Sequence, residues 1–147
     1  MFKHLLLPTD GSRLSAKAAA KAVRLAKALG ARITAVHVVP KFQAVYVEDT
    51  YFMLPVSEAR FRRETKRRAA RYLQQVAAAA RKAGVRCEGV TVEASQPYRG
   101  IIRTAKARKC DCIVMASHGR RGISALLLGS EASKVLTHSA VPVVVFR

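Results

Sequence analysis

Apolar positions along this chain fall into short runs and helical stripes that take turns. Leu5, Leu6 and Leu7 are consecutive, the pattern of a strand buried on both faces. Pro8-Thr9-Asp10-Gly11-Ser12 breaks that run. From Ser12 to Leu29, Ala16, Ala19, Ala20, Val23, Ala26 and Leu29 recur at helical spacing. Ser12 or Ser15 suits the start of this helix and Gly30 its end. Ile33 to Val39 reads as a second strand, closed by Pro40. Lys41 to Val56 has no clear period and holds Phe42, Tyr46, Tyr51 and Phe52, so it reads as a loop that packs over something. A long helix follows from Ser57 to about Ala83, ended by Gly84. Phe61, Tyr72, Val76 and Ala79 fall on one side of it, and Arg60, Arg63, Arg67 and Arg71 form a separate stripe. Val85 to Val92 reads as a third strand, and Pro97 to Arg108 as a short helix with proline in its first turn. Asp111 to Ala116 is a fourth strand, and Ser117 to Leu128 a loop with a short helical piece. Gly129 to Ser139 is a last helix, and Val141 to Phe146 a fifth strand.

Strand and helix in alternation predict a parallel sheet covered by helices on both faces, with right-handed crossovers. Such sheets bind ligands outside the carboxyl ends of the strands, where the strand order reverses. The loops after strands one and four are expected to meet there. The chain has 147 residues and is half apolar, the size and composition of a single domain over residues 1–147. No run approaches the ~20 apolar residues of a membrane span. The first eight residues carry one lysine, a short apolar stretch and no small-residue cleavage site, so they read as a strand and not a signal peptide. The expected location is the cytoplasm.

Charge changes the picture more than composition does. Twenty-seven basic residues against nine acidic ones give +18, which implies attraction to polyanions and says nothing about fold. Cys87, Cys110 and Cys112 are too few and odd in number for a disulfide framework. Cys110-Asp111-Cys112 is half of a metal site at most. The simpler expectation places Cys112 at the start of a buried strand and Cys110 at its mouth.

The second of the two converging loops holds the unusual residues. It runs Ala116-Ser117-His118-Gly119-Arg120-Arg121-Gly122 and ends at Leu128-Gly129-Ser130. Glycines let backbone N–H groups approach a ligand, and Gly129 and Ser130 open a helix whose N-terminus suits an anion. The Ser130 hydroxyl can cap that helix or bind a phosphate oxygen. The same glycines also suit plain turns. Walker A and dinucleotide-binding glycine patterns are both absent.

Taken together, Leu5-Leu6-Leu7-Pro8-Thr9-Asp10-Gly11-Ser12, Val36-His37-Val38-Val39, the glycine loop and Val141-Pro142-Val143-Val144-Val145 resemble the universal stress protein family over the whole chain. The resemblance implies an α/β fold with a doubly wound, Rossmann-like parallel five-stranded sheet of order 3-2-1-4-5, akin to the adenine-nucleotide alpha-hydrolase-like proteins. The ATP-binding branch of the family has glycine, two residues, glycine, nine residues, then glycine and serine or threonine. Gly119, Gly129 and Ser130 match that pattern, and Ala116 stands where the first glycine belongs.

By this resemblance Pro8, Thr9 and Asp10 line the adenine and ribose side, and the Val38 backbone pairs with the adenine edge. Gly119, Gly129, Ser130 and nearby backbone, including Ala116 and Gly122, hold phosphates. The implied function is a nucleotide-responsive stress-response protein binding ATP with Mg or Mn. It acts as a homodimer through the last strand, at Val141, Val143 and Val145, and is not an enzyme beyond slow ATP hydrolysis. The charge at Asp10 agrees, since a carboxylate accepts from ribose hydroxyls and repels phosphate. Two other readings stay open: a dimeric interaction module that binds no ATP, and a basic, nucleic-acid-associated stress protein using Arg60, Arg63, Arg67 and Arg71. His118 either contacts phosphate or braces its loop, and bracing is favoured. His37 reads as a satisfied core histidine. Arg120 and Arg121 are either phosphate clamps or solvated loop charges.

Overall fold

The computed structural model describes residues 1–42, 57–118 and 128–147. Its elements run β1 (His4–Pro8), α1 (Arg13–Leu29), β2 (Arg32–Val39), α2 (Glu58–Lys82), β3 (Cys87–Glu93), α3 (Pro97–Ala107), β4 (Cys112–Ala116), α4 (Ser130–His138) and β5 (Val143–Phe146). All pairings are parallel, and the five strands lie in the order β3-β2-β1-β4-β5.

Alternation along β1 splits its leucines between two cores, because successive side chains in a strand point to opposite faces. Leu5 and Leu7 meet Ile33, Ala35, Cys112 and Val114 under α1 and α2. Leu6 meets Val36, Ile113 and Met115 under α3 and α4. Small residues let the helices come close: Ala22, Ala26 and Ala80 are fully buried on one face, and Gly100 of α3 leaves room for Val38, whose Cγ1 would stand 3.0 Å from an added Cβ.

The caps are local. The Ser12 hydroxyl accepts from Ser15 N at 3.1 Å, so Ser12, not Ser15, caps α1. Gly30 closes that helix at φ 61, in the left-handed region. The Ser57 hydroxyl accepts from Arg60 N at 3.2 Å and starts α2. Pro97 occupies the first turn of α3.

The core face of α2 differs from the sequence reading. Ala69, Tyr72, Val76 and Ala80 are buried, whereas Phe61 and Ala79 are half-buried. Twenty-five residues make a helix of roughly 37 Å, and the seven of β3 span only about 23 Å. The first turns of α2 therefore overhang the sheet, and Phe61 packs instead on Phe42, with ring centroids 5.4 Å apart. Strand β3 begins at Cys87 and β5 at Val143, two residues later than their patterns predict.

At the amino edge of the sheet, Asp111 binds β1 from the far end of the chain. Its carboxylate accepts from Lys3 N at 2.7 Å and His4 N at 3.1 Å. Buried His4 then sits in a polar chain. Arg32 lies 3.1 Å from its Nδ1, its Nε2 faces Thr34 Oγ1 at 2.7 Å, and that hydroxyl donates to Glu88 at 2.8 Å. An arginine can only donate, so Nδ1 accepts and Nε2–H donates. Burial, and then the Arg32 charge, hold the His4 pKa below its ordinary value.

Cys110 stands two residues before β4, at the mouth of that strand as expected, and it is buried. It is 4 % exposed and joins the α3/α4 core, while Cys112 joins the other one. Cys110 precedes β4, so strand alternation does not reach it, and the two thiols lie in different cores. Among the described residues no group of three His, Cys, Asp or Glu side chains is placed to hold a metal.

Candidate functional site

Strand β1 lies between β2 and β4, so the chain reverses its direction of travel across the sheet beside β1. The turns after β1 and β4 meet at the carboxyl edge, as the alternation predicts.

The first turn is rigid for reasons written in its own residues. Thr9 N donates to Val36 O at 2.9 Å, carrying the β1–β2 ladder one step past Pro8. Asp10 Oδ1 accepts from Ser12 N at 2.9 Å, a local bond typical of aspartate in turns. The Thr9 hydroxyl accepts from Gly11 N at 3.3 Å and lies 3.2 Å from the Ser15 hydroxyl. Gly11 has φ 74, and an added Cβ there would overlap the ring of Tyr72 on α2. Only glycine takes both the left-handed backbone and that contact.

Two residues from other elements hold this turn. His37 Nδ1 donates to Thr9 O at 2.7 Å, which bears out the reading of a satisfied core histidine and gives it a task. Tyr72 meets the same imidazole edge-on, with centroids 5.2 Å apart. Their only signal in the sequence is a polar residue inside an apolar strand and an aromatic residue on a helix face.

Backbone direction brings in Val38. Pairing of β1 with β2 ends at Pro8↔Val36, while β2 continues along β3 to Val39↔Glu93. Backbone groups of alternate residues point to the same neighbour, and Val36 O points to β1. The N–H and C=O of Val38 therefore face the β1 side beyond the last β1 pair, next to the Asp10 turn.

From the other side, Ser117 N donates to Phe146 O at 2.8 Å and extends β4. Gly129 N donates back to Ser117 O at 2.8 Å, which brings the start of α4 against the end of β4. A Cβ on Gly129 would lie 2.9 Å from Ser117 O and 3.2 Å from His118 Cα, so close backbone packing explains this glycine. The cap of α4 is Gly129 and carries no side-chain bond; Ser130 is the first helical residue and its hydroxyl is not the cap. Among the described residues the α4 N-terminus thus keeps backbone N–H groups without a side-chain cap, the arrangement that attracts anions. Glu131, in the same turn, faces away from that role: it accepts from Tyr98 N at 2.8 Å and from Lys134 at 3.0 Å.

His118 Nδ1 lies 3.0 Å from the Ser117 hydroxyl. This contact is to a side chain and not to backbone. Ala116 is the last residue of β4, half-buried and paired with Phe146. Pro8, Thr9, Asp10, Val38, Ala116, His118, Gly129 and Ser130 therefore gather at one edge. Gly119, Arg120, Arg121 and Gly122, like most of the Lys41 to Val56 loop, lie outside the described residues.

A strand-turn with a carboxylate and a bare helix start thus stand at the carboxyl edge of a doubly wound sheet. The model of the universal stress protein family matches residues 1–147, and the chain belongs to that family. It is 34% identical to a universal stress protein of Thermus aquaticus over 149 residues, covering 100% of both. Among solved structures it is similar to a universal stress protein in complex with cAMP, at TM-score 0.74 and 22% identity over 99% of this chain and 97% of that one. It is also similar to the universal stress protein from Archaeoglobus fulgidus in complex with dAMP, at TM-score 0.70 and 18% identity, covering 100% and 98%. No helix among the described residues is long and apolar enough to cross a membrane.

Proposed function

We propose that this universal stress protein binds ATP at the carboxyl edge and acts in the cytoplasm as a nucleotide-responsive homodimer, not as a catalyst of metabolism. One observation carries the reading: the Asp10 turn, the outward backbone of Val38 and the uncapped start of α4 converge where β1 meets β4. The Val38 N–H and C=O form a donor–acceptor pair of the kind an adenine edge takes. Asp10 accepts from ribose hydroxyls. Gly129, Ser130 and the α4 amides take phosphate, with Gly119, Arg120 and Gly122 closing the site. Ser130, on the phosphate side, offers a hard oxygen donor of the kind Mg or Mn prefers. The cAMP and dAMP held by two proteins of the same fold support an adenine nucleotide.

Thermal unfolding with and without excess ATP and magnesium tests this. A ligand at ~100 times its Kd that binds only the folded state adds about 2.7 kcal/mol, a rise of roughly 5–10 °C at this size. Gly129→Arg should abolish the rise, though contact with Ser117 O also lowers its own Tm. Asp10→Asn keeps the Ser12 bond and the fold, and should shrink the rise. No rise in the parent chain defeats the ATP reading, with Ala116 the first residue to blame, and favours the dimeric interaction module.

The dimer is assigned to β5 because it is a sheet edge whose four residues are all half-buried. Val145→Lys should turn a dimer into a monomer in light scattering. A dimer unmoved by that change, with a native fold, places the interface elsewhere.

A further inference from the structure

We propose that the joint outer face of α1 and α2 binds the phosphate backbone of double-stranded nucleic acid without reading its sequence. The fold sorts the positive charge. Helices α1 and α2 cover one face of the sheet and α3 and α4 the other. Among helical residues, α1 carries five basic and no acidic ones, and α2 nine basic and two acidic, so this layer holds +12. Helices α3 and α4 together carry four basic residues and one acidic, +3. Per helical residue the first layer, with 42 residues, carries about twice the net charge of the second, with 20.

The charges also form stripes. Arg13, Lys17, Arg24 and Lys27 are exposed, opposite the buried alanines of α1. Arg63, Arg67 and Arg71 are exposed, opposite Ala69, Val76 and Ala80 of α2. The structure narrows the arginine stripe: Arg60 pairs with Glu64 at 2.9 Å and Arg62 with Glu58 at 2.7 Å. Those pairs occupy both carboxylates of α2. Among the described residues Lys17, Arg24, Arg63 and Arg67 form no salt bridge. Like charges four apart, as at Arg63, Arg67 and Arg71, destabilise a helix, and an anion along the stripe removes that repulsion.

Geometry and side-chain type choose the partner. Packed helices lie about 8–10 Å apart, and the stripe from Arg13 to Lys27 runs ~21 Å. A duplex offers one phosphate per ~1.7 Å of axis along such a length. Seven of the nine cations of α2 are arginines, whose planar fork suits phosphate. Single-strand binding needs aromatic platforms, yet on these helices Tyr72 is buried and Phe61 half-buried. Membrane-surface helices bury a large apolar face, and the one large apolar side chain exposed on either helix is Leu14, at 37%.

The test is anisotropy of labelled duplexes of unrelated sequence, titrated with the parent chain and two variants of equal net charge. One variant carries Lys17→Glu, Arg24→Glu, Arg63→Glu and Arg67→Glu; the other carries Lys3→Glu, Arg86→Glu, Lys106→Glu and Lys109→Glu, all exposed and outside α1 and α2. Lys21 and Arg71 stay, since they pack on Phe146 and Tyr72. The parent should bind all duplexes alike and lose about 10²- to 10³-fold in affinity between 50 and 200 mM salt, for roughly five phosphate contacts. The first variant should lose binding and the second keep it. The four glutamine replacements at Lys17, Arg24, Arg63 and Arg67, with unchanged Tm, should flatten the salt slope in the same way. Equal weakening by both reversals, no binding at 50 mM salt, or preference for anionic vesicles or single strands would each overturn the proposal. The ATP-dependent rise in Tm, measured on the same variants, reports the other site separately.

Discussion

The imidazole of His37 in β2 donates to the carbonyl of Thr9, 2.7 Å away, and so fastens the turn that carries Asp10. Removing it leaves a buried acceptor without this partner, at a cost of about 1–3 kcal/mol. His37→Ala should therefore lower stability in urea by that amount and reduce the ATP-dependent rise in Tm. Unchanged stability with a full rise would show that the turn holds itself.

Two glycines with similar backbones should respond very differently. Gly11 at φ 74 faces the Tyr72 ring, and Gly30 at φ 61 has nothing within 4 Å of an added Cβ. Gly30→Ala meets only the left-handed backbone penalty, roughly 1–2 kcal/mol. Gly11→Ala adds overlap with the ring and should cost clearly more, and it should disturb ligand binding as well. Chemical denaturation of both variants decides; equal losses would mean that Tyr72 moves aside freely.

Acid should weaken the fold through His4. Its pKa in the folded chain is lowered from 6.5 by burial first and by Arg32 second, while Glu88 and Asp111 pull the other way and Lys109 adds a backbone bond. The unfolded chain therefore takes up this proton more readily than the folded one. The stabilising neutral form is fully present above about pH 6.5, and its contribution is lost as pH falls through and below that value. Urea unfolding at pH 7.5 and 5.5 should show a decline that His4→Gln, which cannot titrate, makes shallower. Identical slopes would exonerate His4.

The thiols should be inert in the native protein. Burial raises all three, and Cys110 reaches about 11. The thiolate is the nucleophile, so alkylation at pH 7.5 should be slow until denaturant is added, with half-buried Cys87 modified first. Rapid native labelling of Cys110 would contradict its place in the α3/α4 core.

Much of this was legible because strong local rules set it. Leu5-Leu6-Leu7 and Val36-His37-Val38-Val39 could only be buried strands, and Ser12, Ser57, Gly30 and Pro97 marked helix ends within a residue or two. The strand order and the family came from motifs spread over the whole chain. The misses are tertiary. The core stripe of α2 was anchored on Phe61, a residue on the part of the helix that overhangs the sheet, so Ala69 and Ala80 were passed over. Cys110 stands at the mouth of β4 as expected, but its burial in the α3/α4 core has no local signal. The contacts that fix the site, His37 to Thr9, Gly11 to Tyr72 and Gly129 to Ser117, join residues with no local signal of each other.

Asp111 reaches across 108 positions to hold the backbone of Lys3, and β1 gains its second neighbour only when β4 arrives, Leu5 pairing with Cys112. The sheet is thus completed late in time as well as late in sequence. During synthesis β1, buried along nearly its whole length, has β2 on one side and waits for three quarters of the chain to appear before the other side is covered. Long-range parallel pairing of this kind folds slowly, so β1 keeps an unpaired edge until the segment after Asp111 has emerged.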